Sequence, residues 1–182
     1  MRTIAHTLVM TLLTIALVAC SGNGTDTPET GADQPAPAAQ QLPYSFALKA
    51  ANNAYVSSNA GLEDDRAGIL IADRPEAGAW EIFELVDLGG GKVAFRAANG
   101  KFVSADRSIG GLLVANRDTV GEWETFELLS FDGDRKVLRT TDGRYVTADL
   151  GLEGDLKGRL FADRSEAREW ETFTLEEVPA VQ

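Results

Sequence analysis

Three near-copies of one string dominate the chain: Trp80-Glu81-Ile82-Phe83-Glu84-Leu85, Trp123-Glu124-Thr125-Phe126-Glu127-Leu128 and Trp170-Glu171-Thr172-Phe173-Thr174-Leu175. Ahead of each lies Ala72-Asp73-Arg74, Ala115-Asn116-Arg117 or Ala162-Asp163-Arg164, and ahead of that Tyr55-Val56-Ser57, Phe102-Val103-Ser104 or Tyr145-Val146-Thr147. Blocks that recur in one order at a period of about 45 residues are copies of a single supersecondary unit, and no copy buries its apolar face alone. The 8 Phe, 3 Trp and 3 Tyr all fall between Tyr44 and Phe173, so the copies contain the whole aromatic core.

Local chemistry within a copy is that of strands. Asn99-Gly100 and Asp142-Gly143 separate β-favouring runs, as Asn52-Asn53 does less ideally, and predict tight type I′ hairpins in which both central residues take positive φ. The Ile69 to Ala72 run and its equivalents end at an Asx-Arg corner, where the Asx side chain can close a turn on its own backbone. A last strand carries Phe83 and Leu85, or Phe126 and Leu128, or Phe173 and Leu175. The pattern predicts an all-β chain of three four-stranded repeats, at about 44–90, 91–134 and 135–178, closed around a pseudo-threefold axis as a β-trefoil, with 179–182 a short tail. Trp80, Phe83, Trp123, Phe126, Trp170 and Phe173 are its expected core, since packing must be satisfied in every copy.

The order Tyr/Phe-Val-Ser/Thr, Ala-Asp/Asn-Arg, Trp-Glu-x-Phe-x-Leu resembles the fascin-like β-trefoil family of actin-crosslinking proteins over about residues 44–178. The Gln-x-Trp triplet of ricin-type lectins is missing, because Gly78, Gly121 and Arg168 stand two places before the tryptophans. The resemblance implies a recognition scaffold. Eukaryotic members bundle actin with several trefoils in tandem, whereas bacterial ones look like binding modules of carbohydrate-related proteins. With one set of three copies here, actin is not an expected partner.

Residues 1–19 have Arg2 followed by an apolar run from Leu8 to Ala19, too short for a membrane span of roughly 20 residues and of the form of an export signal. Leu17-Val18-Ala19-Cys20 resembles the lipobox of bacterial lipoproteins, which implies acylation of Cys20 and attachment to a membrane by its acyl chains. Residues 20–43, with no aromatic side chain and four of the 6 prolines, predict a flexible linker. Ser21 in place of Asp implies, by resemblance to lipoprotein sorting, an outer-membrane destination in a cell with two membranes.

Charge and composition narrow the function. A net charge of −11 opposes nucleic acid and anionic lipid headgroups. His6 and Cys20, the only His and Cys, both precede the repeats, so the domain has no Ser-His-Asp or Cys-His machinery and no His or Cys metal site. No cofactor or metal is expected. Neither Glu63-Asp64-Asp65 nor Asp132-Gly133-Asp134 has the spacing of a calcium loop, and nothing singles out two carboxylates as a glycosidase pair, so the chain reads as non-catalytic. Arg74, Arg117 and Arg164 stand seven places before Glu81, Glu124 and Glu171 and can pair with them. The alternative use of Asp73, Arg74, Asn116, Arg117, Asp163 and Arg164 is to line polar pockets for a hydroxyl-rich ligand, which needs amide, carboxylate and guanidinium groups. A glycan or envelope polysaccharide is the expected partner, and an envelope protein the alternative.

Overall fold

The computed structural model describes residues 44–64 and 66–178. The expected export signal, lipidated Cys20, linker and tail lie outside the described residues. The first repeat supplies β1 (Tyr44–Ala50), β2 (Tyr55–Ser57), β3 (Ile71–Arg74) and β4 (Ile82–Gly89). The second supplies β5 (Lys92–Arg96), β6 (Phe102–Asp106), β7 (Leu112–Arg117) and β8 (Phe126–Asp132), and the third β9 (Arg135–Thr140), β10 (Tyr145–Ala148), β11 (Leu160–Arg164) and β12 (Thr172–Val178). Four strands per repeat is the number read from the sequence.

The first and last strands of each repeat form an antiparallel ring, β1 to β4, β5, β8, β9, β12 and back to β1. Closure of that ring leaves the barrel without an open edge. Phe46, Phe83, Phe126 and Phe173 fill it, each at most 2% exposed, and the ring centroids of Phe46 and Phe95, and of Phe95 and Phe126, are 5.6 Å apart. Burying a Phe contributes about 1.5–3 kcal/mol, so this group is the main apolar support of the barrel. Leu85 is buried with them, while Leu128 and Leu175 are half-buried against the same core.

The middle strands of each repeat, β2–β3, β6–β7 and β10–β11, pair as hairpins that cap one end of the barrel. Three backbone bonds join them in a cycle: the Ala115, Ala162 and Ala72 amides donate to the carbonyls of Gly68, Gly111 and Gly158 at 2.7, 2.8 and 2.8 Å. Each of these glycines has φ near +80°, and a Cβ there would lie 2.7–2.9 Å from the next repeat's alanine carbonyl oxygen. Backbone meets backbone at the axis only because side chains are absent.

The connections between the outer and middle strands differ from the expected type I′ turns. Gly100 and Gly143 take positive φ, with Asn53 in the same place, but Asn99 and Asp142 do not. The amides of Asn53, Gly100 and Gly143 donate to Ala50, Ala97 and Thr140 at 2.9, 2.8 and 2.9 Å, closing a β-turn whose fourth residue is left-handed. Such three-residue loops with a bulge satisfy the Asn-Gly pair with one positive φ instead of two. The freed Asn side chain is used elsewhere: Asn52 and Asn99 each donate through Nδ2 at 3.0 Å to the carbonyls of Ala72 and Ala115, tying the turn to the cap.

Candidate functional site

Each Trp-Glu pair ends a short 3-10 turn, Ala79–Glu81, Glu122–Glu124 or Glu169–Glu171. The glutamate folds back, and its Oε2 accepts the amide of Gly78, Gly121 or Arg168 at 2.7, 2.8 or 2.8 Å. That bond satisfies an amide that the turn leaves without a partner, and it draws the carboxylate inward until Glu81, Glu124 and Glu171 are buried. The arginine seven places earlier faces the same carboxylate, with Nε of Arg74, Arg117 and Arg164 at 3.8, 3.7 and 3.9 Å. The pairing expected from the spacing is present in every repeat.

A further partner completes each arginine. Nη2 of Arg74 donates to Asn59 at 3.2 Å, and those of Arg117 and Arg164 donate to Asp106 and Asp149 at 3.3 and 3.1 Å. These Asx residues open the loop after the second strand of each repeat. They are absent from the corners expected from the sequence, although they recur two places after Ser57, Ser104 and Thr147 in all three copies. The three guanidinium groups thus clamp the 3-10 turn to the cap hairpin. At the candidate corners, Asp73, Asn116 and Asp163 are the members left exposed, Asp73 and Asp163 each lying 3.5 Å from the neighbouring arginine. Partial burial raises the Asp73 carboxyl above its usual range, Arg74 opposing that shift and Glu81 reinforcing it.

The tryptophans are not core. Trp80 and Trp170 are 38% and 41% exposed and Trp123 is half-buried, in contrast to the phenylalanines three places on. The reason is local. The 3-10 turn sends its glutamate inward, where backbone and arginine satisfy it, and the indole outward over the surface loop. Trp80 lies on the α-carbon of Gly61, where a Cβ would fall 1.8 Å from Cζ2, and Trp170 lies on Gly151, where a Cβ would be 3.3 Å from Cη2. Trp123, beside the shorter loop of the second repeat, has the Arg117 guanidinium 6.0 Å from its ring centroid instead.

Three clefts open at the corners. One of about 510 Å³ has Trp170 on its wall with Arg164, Glu166, Arg168 and Glu171, and one of about 370 Å³ has the equivalent Trp123, Arg117 and Glu124. The third, also about 510 Å³, lies at Asp73 and Arg74 but opens toward the third repeat, which contributes Asp155, Lys157 and Arg159. Among the described residues no group of His, Cys, Asp or Glu side chains converges as a metal site. Asp64 and Asp132, from the two acidic runs, instead take arginine partners, Arg66 at 2.7 Å and Arg135 at 2.5 Å, and Asp65 lies outside the described residues.

The barrel and its threefold cap match those of solved proteins. ThreeFoil, a designed threefold-symmetric protein, superposes with a TM-score of 0.64 at 16% identity, over 74% of this chain and 99% of that one. This chain folds as a β-trefoil. SeviL, solved bound to asialo-GM1 saccharide, superposes at 0.57 with 16% identity over 74% of this chain and 97% of that one. The Polyporus squamosus lectin, solved with a human-type influenza-binding epitope, gives 0.59 at 13% identity over 76% of this chain and 50% of that one. The trefoil also matches 30% of an exo-β-1,3-galactanase from Clostridium thermocellum, so the fold occurs as part of an enzyme as well. At these identities the likeness is one of fold, and function must come from the site. No family profile and no curated protein matches the sequence.

Proposed function

We propose that the chain is a non-catalytic carbohydrate-binding lipoprotein of a bacterial cell envelope, a fascin-like trefoil held to the membrane, the outer one where there are two, through acylated Cys20. The observation that carries the carbohydrate reading is the 41% exposed indole of Trp170 on the wall of a cleft of about 510 Å³, next to guanidinium and carboxylate groups. An aromatic face suits the apolar side of a pyranose, while fixed charged groups bond its hydroxyls. Saccharide-bound trefoils such as SeviL and the Polyporus lectin support the reading.

Residues 21–182 are expected to bind selected members of a panel of glycans and insoluble polysaccharides. Trp170→Ala is expected to weaken that binding about 3- to 10-fold while the domain stays folded. A folded domain that binds no glycan, or a variant that binds as well as the parent, would count against the Trp170 site. A protein partner is the second reading, favoured by the net charge of −11, and predicts association that weakens with salt. Anchoring has its own test. The full chain expressed in a bacterial host should take up labelled palmitate and fractionate with membranes, and Cys20→Ser should abolish both; an unlabelled parent would end the lipoprotein reading.

A further inference from the structure

The internal symmetry shows what packing requires at each position, because the fold must be satisfied three times. Departures from it are therefore informative. On the outer side of the cap, Ile69 bridges Val114 and Leu112 bridges Phe161, two apolar pairs between neighbouring repeats. Ile69, Leu112 and Val114 are buried, with Phe161 packed on them. The third pair of the cycle is Ile71 with Arg159. Where the first two repeats have Ala67 and Gly110, the third has Lys157. Packing is met without charge at the equivalent places, so packing between repeats does not require these two cations.

Both line the cleft of about 510 Å³ between the first and third repeats. The Nε of Arg159 donates to the Asp155 carbonyl at 3.0 Å, which orients the guanidinium, and no described side chain takes its terminal nitrogens. Lys157 is exposed and has no side-chain partner among the described residues. By contrast Arg74, in the same cleft, is consumed by Asn59 and Glu81. Ile71 gives the cleft lining an apolar side chain, and Asp73 a carboxylate acceptor. A pair of uncommitted cations on a chain of net charge −11, beside an apolar surface and a hydroxyl acceptor, selects a ligand that has both a ring and an anion.

We propose that this cleft binds an acidic saccharide, with Lys157 and Arg159 holding its carboxylate or sulfate and Asp73 accepting from its hydroxyls. The inference rests on the carbohydrate reading and names the ligand class of a cleft separate from that of Trp170.

The test measures binding of oligogalacturonate, dextran sulfate and neutral dextran oligomers, together with any neutral glycan found by the panel, to residues 21–182. One acidic ligand, uronate or sulfated, is expected to bind at least about tenfold more tightly than dextran, in a manner weakened by salt. The variant Lys157→Ala/Arg159→Leu installs what the first and second repeats have at those positions, so it should keep the parent's melting temperature. It should lose the preference for the acidic ligand and bind neutral glycans as before. Acidic binding that survives in this folded variant would overturn the proposal, as would a parent that binds neutral glycans with no preference for acidic ones. A folded parent that binds no saccharide of either kind would overturn the carbohydrate reading itself, and this proposal with it.

Discussion

Phe126→Ala is expected to lower the unfolding free energy by about 3–5 kcal/mol, a large part of the 5–15 kcal/mol typical of a domain. Phe126 is 0% exposed, and its ring packs on Phe95, which in turn meets Phe46 of the first repeat at the same 5.6 Å separation. Truncation therefore opens a cavity in the barrel core, and the surrounding strands, tied into a closed ring, have little freedom to collapse into it. Urea denaturation followed by Trp fluorescence would measure the loss. Trp123→Ala is the contrast, because that half-buried ring lies outside the barrel core and its removal should cost much less. Equal losses for the two variants would contradict the division between inner Phe and outer Trp.

Gly111→Ala is expected to cost about 2–5 kcal/mol through two separable effects. Its φ of +79° is strained for any residue with a Cβ, which accounts for about 1–2 kcal/mol. The added methyl would also lie 2.7 Å from the Ala162 carbonyl oxygen and 3.1 Å from its carbon, so either the cap hairpins separate or the hydrogen bond from the Ala162 amide to the Gly111 carbonyl lengthens. Gly110→Ala isolates the first effect. Its φ is +74° and a Cβ there meets nothing within 4 Å, so it should cost only the strain. Thermal unfolding of the two variants would compare them directly. If Gly110→Ala proves as damaging as Gly111→Ala, the close approach at the cap axis is not what requires glycine.

Several features of the candidate site were legible because they recur. The seven-residue spacing from Arg to Glu predicted an ion pair, and Arg74–Glu81, Arg117–Glu124 and Arg164–Glu171 are present at 3.8, 3.7 and 3.9 Å. The tryptophans lie outside the core expected for them, for a physical reason. A repeated apolar residue signals that packing is conserved between copies, but it does not say whether the ring packs in the barrel or on a surface loop. In a 3-10 turn the inward position goes to the residue whose polar group the turn can satisfy, and here that is the glutamate, through its bond to an amide three places back. The hairpins show the same limit. Asn-Gly correctly marked the turns, but a two-residue loop and a three-residue loop with a bulge share that signature, and Asn52 and Asn99 were committed instead to carbonyls of the cap.

By itself, the sequence determined the all-β class, the three repeats of four strands and the threefold closure. Those follow from local strand chemistry and from the rule that an apolar face repeated three times must be buried against its own copies. The tertiary structure alone decided which aromatic residues face the barrel, why Gly68, Gly111 and Gly158 admit no side chain, and that Lys157 and Arg159 stand across a cleft from Asp73. Each of these depends on contacts between repeats. Arg159 meets Ile71 across the cap although 88 positions separate them in the chain, and only the closure of the barrel brings them together.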